Sequence, residues 1–179
     1  MNRRDLADDE WTAHEGLLND VRRSVRYHDR REMFFARANR LATGASLMFG
    51  SGAMFTVKSE YPMIAVACGL AVVAVSTFNL VVGASDTARR HADLKRRFID
   101  LEARMIIGPI DRDAIVRWQA DRLRIEADEP PIMRNLDRLC RNELALVLNM
   151  EHEVKPLSAW ARLTANLLSG PESQARAVK

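Results

Sequence analysis

Two cysteines and four histidines are the first residues to examine for chemistry. Cys68 lies inside a long apolar run and Cys140 on a predicted amphipathic helix outside it, so they are not placed to meet and no disulfide is expected. His14, His28, His91 and His152 are scattered along the chain. Only Glu151-His152-Glu153 sets carboxylates beside an imidazole, and neighbouring residues on a helix point in different directions, which favours a solvated turn over a metal site. There is no glycine-rich phosphate loop and no nucleophile with a plausible base. The expectation is a chain that is not an enzyme, with no catalytic residue, no cofactor and no metal site.

The informative chemistry is that of a bilayer. The sequence is 47% hydrophobic and 28% charged, with a net charge of +3 and a pI near 9.2, values that would suit a soluble protein. The charge is unevenly spread, however. Residues 41–57 contain no Asp, Glu, Lys, Arg or His, nor do residues 61–85, and only Lys58-Ser59-Glu60 separates the two runs. At ~1.5 Å per helical residue against a hydrocarbon core of ~30 Å, the second run spans with residues to spare. The first reaches about 25 Å on the same rise. Arg40 and Lys58 can snorkel outward to make up the difference. A buried hairpin in a soluble bundle is the weaker alternative, because a protein of this size rarely buries two adjacent helices on every face. The N-terminus, Met1-Asn2-Arg3-Arg4-Asp5 followed by Asp8-Asp9-Glu10, does not read as a signal peptide.

Orientation follows from the basic residues. Arg22, Arg23, Arg26, Arg30, Arg31, Arg37 and Arg40 precede the first run, and Arg89, Arg90, Lys95, Arg96 and Arg97 follow the second. Such residues favour the cytoplasm, so both termini are expected inside. Tyr61 suits the headgroup level and Pro62 the first turn of the next helix. Attraction to anionic lipid accounts for the arginines, and nucleic acid is not an expected partner.

The predicted fold class is all-α. An N-terminal helical arm covers 1–40, a transmembrane hairpin 41–85 (about 41–57 and 62–84), and an extension helix 86–107 that continues the second span and ends at Gly108-Pro109. A C-terminal helical region covers 109–170, and the tail 171–179 is expected to be disordered. Asp86–Arg90, Asp93–Arg97 and Asp100–Arg104 are acid-first pairs four apart on the extension helix. Asp111 suits an N-cap, Asp128-Glu129-Pro130-Pro131 a break, and Leu157, Trp160, Leu163, Leu167 and Leu168 a last amphipathic stretch closed by Ser169-Gly170-Pro171.

Within the spans, Ala42, Ser46, Gly50 and Ala53 form one small-residue stripe and Ala67, Ala71 and Ala74 another. Small residues let helices approach closely in lipid, either to hold the hairpin together or to join subunits around a pore. Ser76, Thr77 and Asn79 suit a wet lumen or bonds to neighbouring helices, and the lack of intramembrane charge disfavours ion-coupled transport. Leu94, Phe98, Leu101 and Met105 form a seam that fits either a second copy or the N-terminal arm of the same chain.

Arg26-Tyr27-His28-Asp29-Arg30-Arg31 and Phe34-Phe35, just before the hairpin, resemble the SLATT family. So does the helix after it, from Ala88-Arg89-Arg90-His91 through Phe98-Ile99-Asp100-Leu101-Glu102. The resemblance covers about residues 11–107. It implies a two-transmembrane effector module of bacterial conflict systems that perforates the inner membrane when a partner senses infection, often through a nucleotide signal. It also implies that Arg26, Tyr27, His28, Arg30 and Arg31 form the family's juxtamembrane motif. Residues 109–170 resemble small membrane proteins carried by prophages. The expected function is therefore an oligomeric membrane effector that forms a pore or disrupts the membrane. The alternatives are a membrane-anchored binding protein, such as a prophage-encoded superinfection-exclusion factor, and a purely structural membrane assembly. Expected partners are the lipid bilayer, further copies of the chain, and a sensor protein or phage component.

Overall fold

Every regular element among the described residues is helical, and the protein is all-α as the periodicity predicts. The structure is a computed structural model and describes residues 3–56 and 62–167. The expected turn Lys58-Ser59-Glu60-Tyr61, the closing Leu168 to Pro171 and the tail to Lys179 lie outside the described residues. The elements are α1 (Arg3–Thr56), α2 (Pro62–Val82), α3 (Ala84–Ile107), α4 (Arg112–Glu126), α5 (Arg134–Val147), a 3-10 turn at Glu151–Glu153 and α6 (Ala159–Leu163).

Local chemistry explains the boundaries. Pro62 opens α2, where a missing N–H is harmless. The continuous helix expected across 62–107 is interrupted at Gly83, whose φ of +58° is left-handed, so α3 begins afresh at Ala84. α3 stops because Pro109, after Gly108, has no N–H to continue the ladder, and the position before it must be glycine: a Cβ there would lie 2.6 Å from Cζ2 of Trp118 and 2.9 Å from the carbonyl oxygen of Arg104. Asp111 caps α4 by accepting the Ala114 N–H at 2.7 Å.

The chain divides into two units, Met1–Arg30 with Ala92–Lys179, and Arg31–His91. The first is a water-type bundle. Leu17, Leu18 and Val21 of α1, Leu94, Phe98, Leu101 and Met105 of α3, and Ala114, Trp118 and Ile125 of α4 form one buried core. Tyr27, Leu136, Cys140 and Ala165 form a second, smaller cluster. Around them run ion pairs that set the antiparallel register of α1 and α3: Arg22–Glu102 at 2.8 Å and Lys95–Asp29 at 3.2 Å. Arg97 and Arg104 reach Asp128 and Asp121 in other segments, at 2.6 and 3.2 Å.

This packing revises the reading of the α3 seam. Leu94, Phe98, Leu101 and Met105 are between 0 and 1% exposed inside a single chain, leaving no surface for a second copy. An amphipathic stripe shows that a face is covered but not by what, and here α1 and α4 cover it.

The second unit holds the apolar runs. One helix among the described residues, taken from Pro62 through Ile107, is long and apolar enough to cross a membrane. The first run, in its described part to Thr56, is shorter and richer in glycine and serine.

Candidate functional site: the apolar hairpin and the motif beside it

The two apolar segments lie antiparallel. Asn79 Nδ2 donates to Asn39 Oδ1 at 3.0 Å, Ser46 and Ser76 hydroxyls meet at 3.3 Å, and Gly52 faces Cys68, whose Sγ would lie 3.5 Å from an added Cβ. Neutral polar groups and small residues at the contact line suit segments that pack without a hydrophobic drive between them.

These contacts rearrange the expected packing residues. Ala42, Ser46, Gly50 and Ala53 are all half-buried, on the covered side of their segment. A Cβ on Gly50 nevertheless meets nothing within 4 Å, so Gly52 is the glycine of close approach. On the second segment Ala71 is half-buried but Ala67 and Ala74 are exposed, so within one chain only Ala71 of the second stripe serves to hold the hairpin. The covered line runs instead through Ala65, Cys68, Gly69, Val72, Val75 and Asn79. Ser76 and Asn79 are bonded to the opposite segment, Asn79 half-buried and Ser76 still exposed, and Thr77 is exposed. Asn39 carries the matching half of the deepest polar contact and sequence reasoning passed over it, because one asparagine beside Arg40 looks like ordinary helix surface.

The Arg26–Arg31 motif divides between the two units. In the bundle, Tyr27 is 4% exposed and its hydroxyl accepts the N–H of Met133, the residue that precedes α5, at 2.9 Å. His28 is 1% exposed, stacks on Phe98 with ring centroids 5.5 Å apart, and bonds through Nε2 to Glu129 Oε1 at 3.0 Å. Arg30 pairs with Glu143, and Arg26 is half-buried. In the hairpin unit, Arg31 is 7% exposed and lies over the Phe35 ring at 4.6 Å, while Phe35 stacks on His91 at 6.1 Å. These residues are therefore more than a basic fringe at a helix end. Glu129, read in sequence only as part of a break, closes the motif, and its missed signal was a buried histidine in need of an acceptor.

Burial pushes the Cys140 thiol up to about 12, with nearby Arg30 only partly offsetting it, so it is a neutral core side chain. Burial also raises the Glu126 carboxyl, against the opposing pull of Arg122 at 3.1 Å. His14 is buried against Trp118, with Nε2 3.3 Å from the carbonyl oxygen of Met105. Glu151-His152-Glu153 is an exposed 3-10 turn. No group of three or more His, Cys, Asp or Glu is placed to hold a metal among the described residues.

Comparison with protein-family models, with characterised proteins and with solved structures finds no match to this chain.

Proposed function

We propose that the chain is a non-enzymatic integral membrane protein of two spans, 41–57 and 62–84, inserted as a hairpin in a bacterial inner membrane with both polar arms in the cytoplasm. The supporting observation is the apolar surface left uncovered on both segments. Leu41, Leu47, Met48, Met54 and Phe55 on one, and Met63, Leu70, Phe78, Leu80 and Val81 on the other, are each between 66 and 86% exposed. In water such a continuous surface drives aggregation, whereas in hydrocarbon it is simply solvated.

In this reading the protein is an oligomeric effector that forms a pore or disrupts the membrane in phage defence or a related conflict, the role implied by the SLATT resemblance. Two helices enclose no lumen, so perforation requires several copies. With the α3 seam turned inward, contact between copies falls to the outer faces of the segments. A second reading, a membrane-anchored binding protein such as a prophage-encoded exclusion factor, is favoured by the hydrogen bonds of Ser46 with Ser76 and Asn39 with Asn79, which use those polar groups to hold the hairpin together.

Two measurements test these readings. Cysteines placed at Ser59 and Asp113 are expected to label oppositely with an impermeant thiol reagent in intact cells; labelling of both from outside overturns the topology. Depolarisation of a membrane-potential dye on expression, with an oligomer in native lipid, is the outcome expected of the effector. A monomer in mild detergent and native lipid, with no depolarisation, overturns it and leaves the anchored binder.

A further inference from the structure

The covered faces of α2 and α3 do not belong to one unbroken helix. On α2 the half-buried line runs through Ala65, Cys68, Val72, Val75 and Asn79, in steps of three or four residues. On α3 the buried line begins Ala84, Ala88 and His91, again in steps of four and three. α1 supplies the partner of both: Asn39 accepts from Asn79 at 3.0 Å, and Phe35 stacks on His91. Between Asn79 and Ala84, however, the step is five. Carried onward without a break, the α2 line would reach Asp86, which is exposed. Traced back without a break, the α3 line would pass through Leu80 or Val81 and Thr77, which are exposed as well. The two lines differ by roughly one residue, a rotation of about 100° at 3.6 residues per turn.

That offset is taken up at Gly83, whose φ is +58°. Its N–H donates to the carbonyls of Asn79 at 3.0 Å and Leu80 at 3.2 Å, and its own carbonyl accepts the Thr87 N–H at 2.9 Å. The backbone is thus held on both sides of a single left-handed residue. Nothing lies within 4 Å of a Cβ built at Gly83, so conformation rather than space calls for glycine here.

We propose that Gly83 is a rotary joint that selects the face α2 turns to α1. The proposal rests on the reading of 41–57 and 62–84 as membrane spans, because the face not selected is the one left to lipid or to a second copy. Glycine takes the left- and right-handed conformations about equally readily, so the residue itself carries little bias between two settings. In the left-handed setting Asn79 is closed on Asn39 within one chain. In the right-handed setting α2 and α3 form one continuous helix, Asn79 turns away from α1 by about 100°, and Leu80 takes its place. One residue's backbone thereby decides whether an amide is kept inside the hairpin or offered to its surroundings, where in lipid it requires another polar partner.

The test is cross-linking within the full chain, carrying Cys68→Ala, in vesicles at a high lipid-to-protein ratio. Asn39→Cys is combined with either Asn79→Cys or Leu80→Cys and treated with a short bifunctional thiol reagent. Co-flotation is scored first; failure to float defeats the membrane reading and the joint with it, whereas in floated protein the cross-links judge the joint alone. With Gly83 in place, positions 39 and 79 are expected to link and positions 39 and 80 to lag. Gly83→Asn is expected to keep that pattern, because asparagine tolerates the left-handed region. Gly83→Ala is expected to shift the ratio toward the link between 39 and 80 by about five- to thirtyfold, the factor equivalent to the left-handed penalty of a side chain. Deletion of Gly83 is expected to keep the link between 39 and 79, since the step from Asn79 to Ala84 then becomes four and both lines fit one helix. An unchanged ratio in Gly83→Ala, or loss of the 39 to 79 link on deletion, overturns the joint while leaving insertion intact. Absence of both links in the chain with Gly83 overturns the hairpin contact from which the joint is argued.

Discussion

The bundle and the hairpin solve the same problem, holding antiparallel helices together, with opposite materials. In the bundle, large apolar side chains such as Phe98 and Leu101 are fully buried, and charged pairs such as Arg22–Glu102 and Arg122–Asp20 close the edges. In the hairpin, the large side chains point away from the contact and the small and neutral polar ones meet: Gly52 on Cys68, Ser46 on Ser76, Asn39 on Asn79. On the proposed insertion of the hairpin, the contrast follows from the solvent. Water drives apolar surface together, at roughly 25 cal/mol per Å². Lipid does not, so close packing and hydrogen bonds must supply the attraction there. The motif at Tyr27 and His28 belongs to the water-type material although it lies so near the apolar run in sequence.

The sharpest way to break the comparison is to place a charge in each material's core. Phe98→Glu strands a carboxylate in the bundle core and is expected to cost more than about 4 kcal/mol. The bundle's protease resistance should vanish while the protein still co-floats with membranes. A folded bundle with altered oligomeric state would instead return the seam to the surface.

Next in size is the motif. Removing one partner of a buried, hydrogen-bonded ionisable pair costs ~3–5 kcal/mol where the remaining group keeps its charge, and nearer ~1–3 kcal/mol where it does not. His28→Ala and Glu129→Ala are expected to fall in that span and to be strongly non-additive in a double-mutant cycle, read by chemical unfolding in nanodiscs. Additive effects would mean that the 3.0 Å contact between them carries no coupling.

A pH experiment probes the bundle through one core residue, Cys140. The folded bundle keeps the Cys140 proton to about 12, whereas the thiol's ordinary value is 9.0. Between those values the folded state binds more protons than the unfolded, so bundle stability falls as pH rises, by up to about 1.4 kcal/mol per pH unit. Cys140→Val is expected to remove that part of the slope, measured by unfolding across the alkaline range. Below the ordinary thiol value both states hold the proton and this contribution to stability is fully present.

The smallest effects are expected in the hairpin. Asn79→Leu should cost ~0.6–2 kcal/mol, the range of interhelical hydrogen bonds in bilayers. Gly52→Leu should disturb hairpin packing more than Gly50→Leu, because Cys68 stands opposite the first and open space opposite the second. Equal losses in a folding assay in bicelles would remove the assigned line of close approach.

By itself the sequence determined the class of material in each region. Uncharged runs, the four-three-four repeat of Leu94, Phe98, Leu101 and Met105, and the stop at Gly108-Pro109 all follow from local chain chemistry, which is why the helices and the covered face of α3 were legible. Tertiary structure alone decided which face meets which. Periodicity records that a side chain is covered and is silent about its partner. It therefore left the α3 seam between two occupants, placed the second small-residue stripe one face away from the contact, and read Glu129 as part of a break. Those assignments depend on contacts such as Tyr27 with Met133, His28 with Glu129 and Asn39 with Asn79, between 40 and 106 residues apart in the chain, where no local pattern can reach. The outward turn of Trp160, Leu163 and Leu167 was likewise decided there, because only the fold shows that Thr164 and Ala165 take the inner positions.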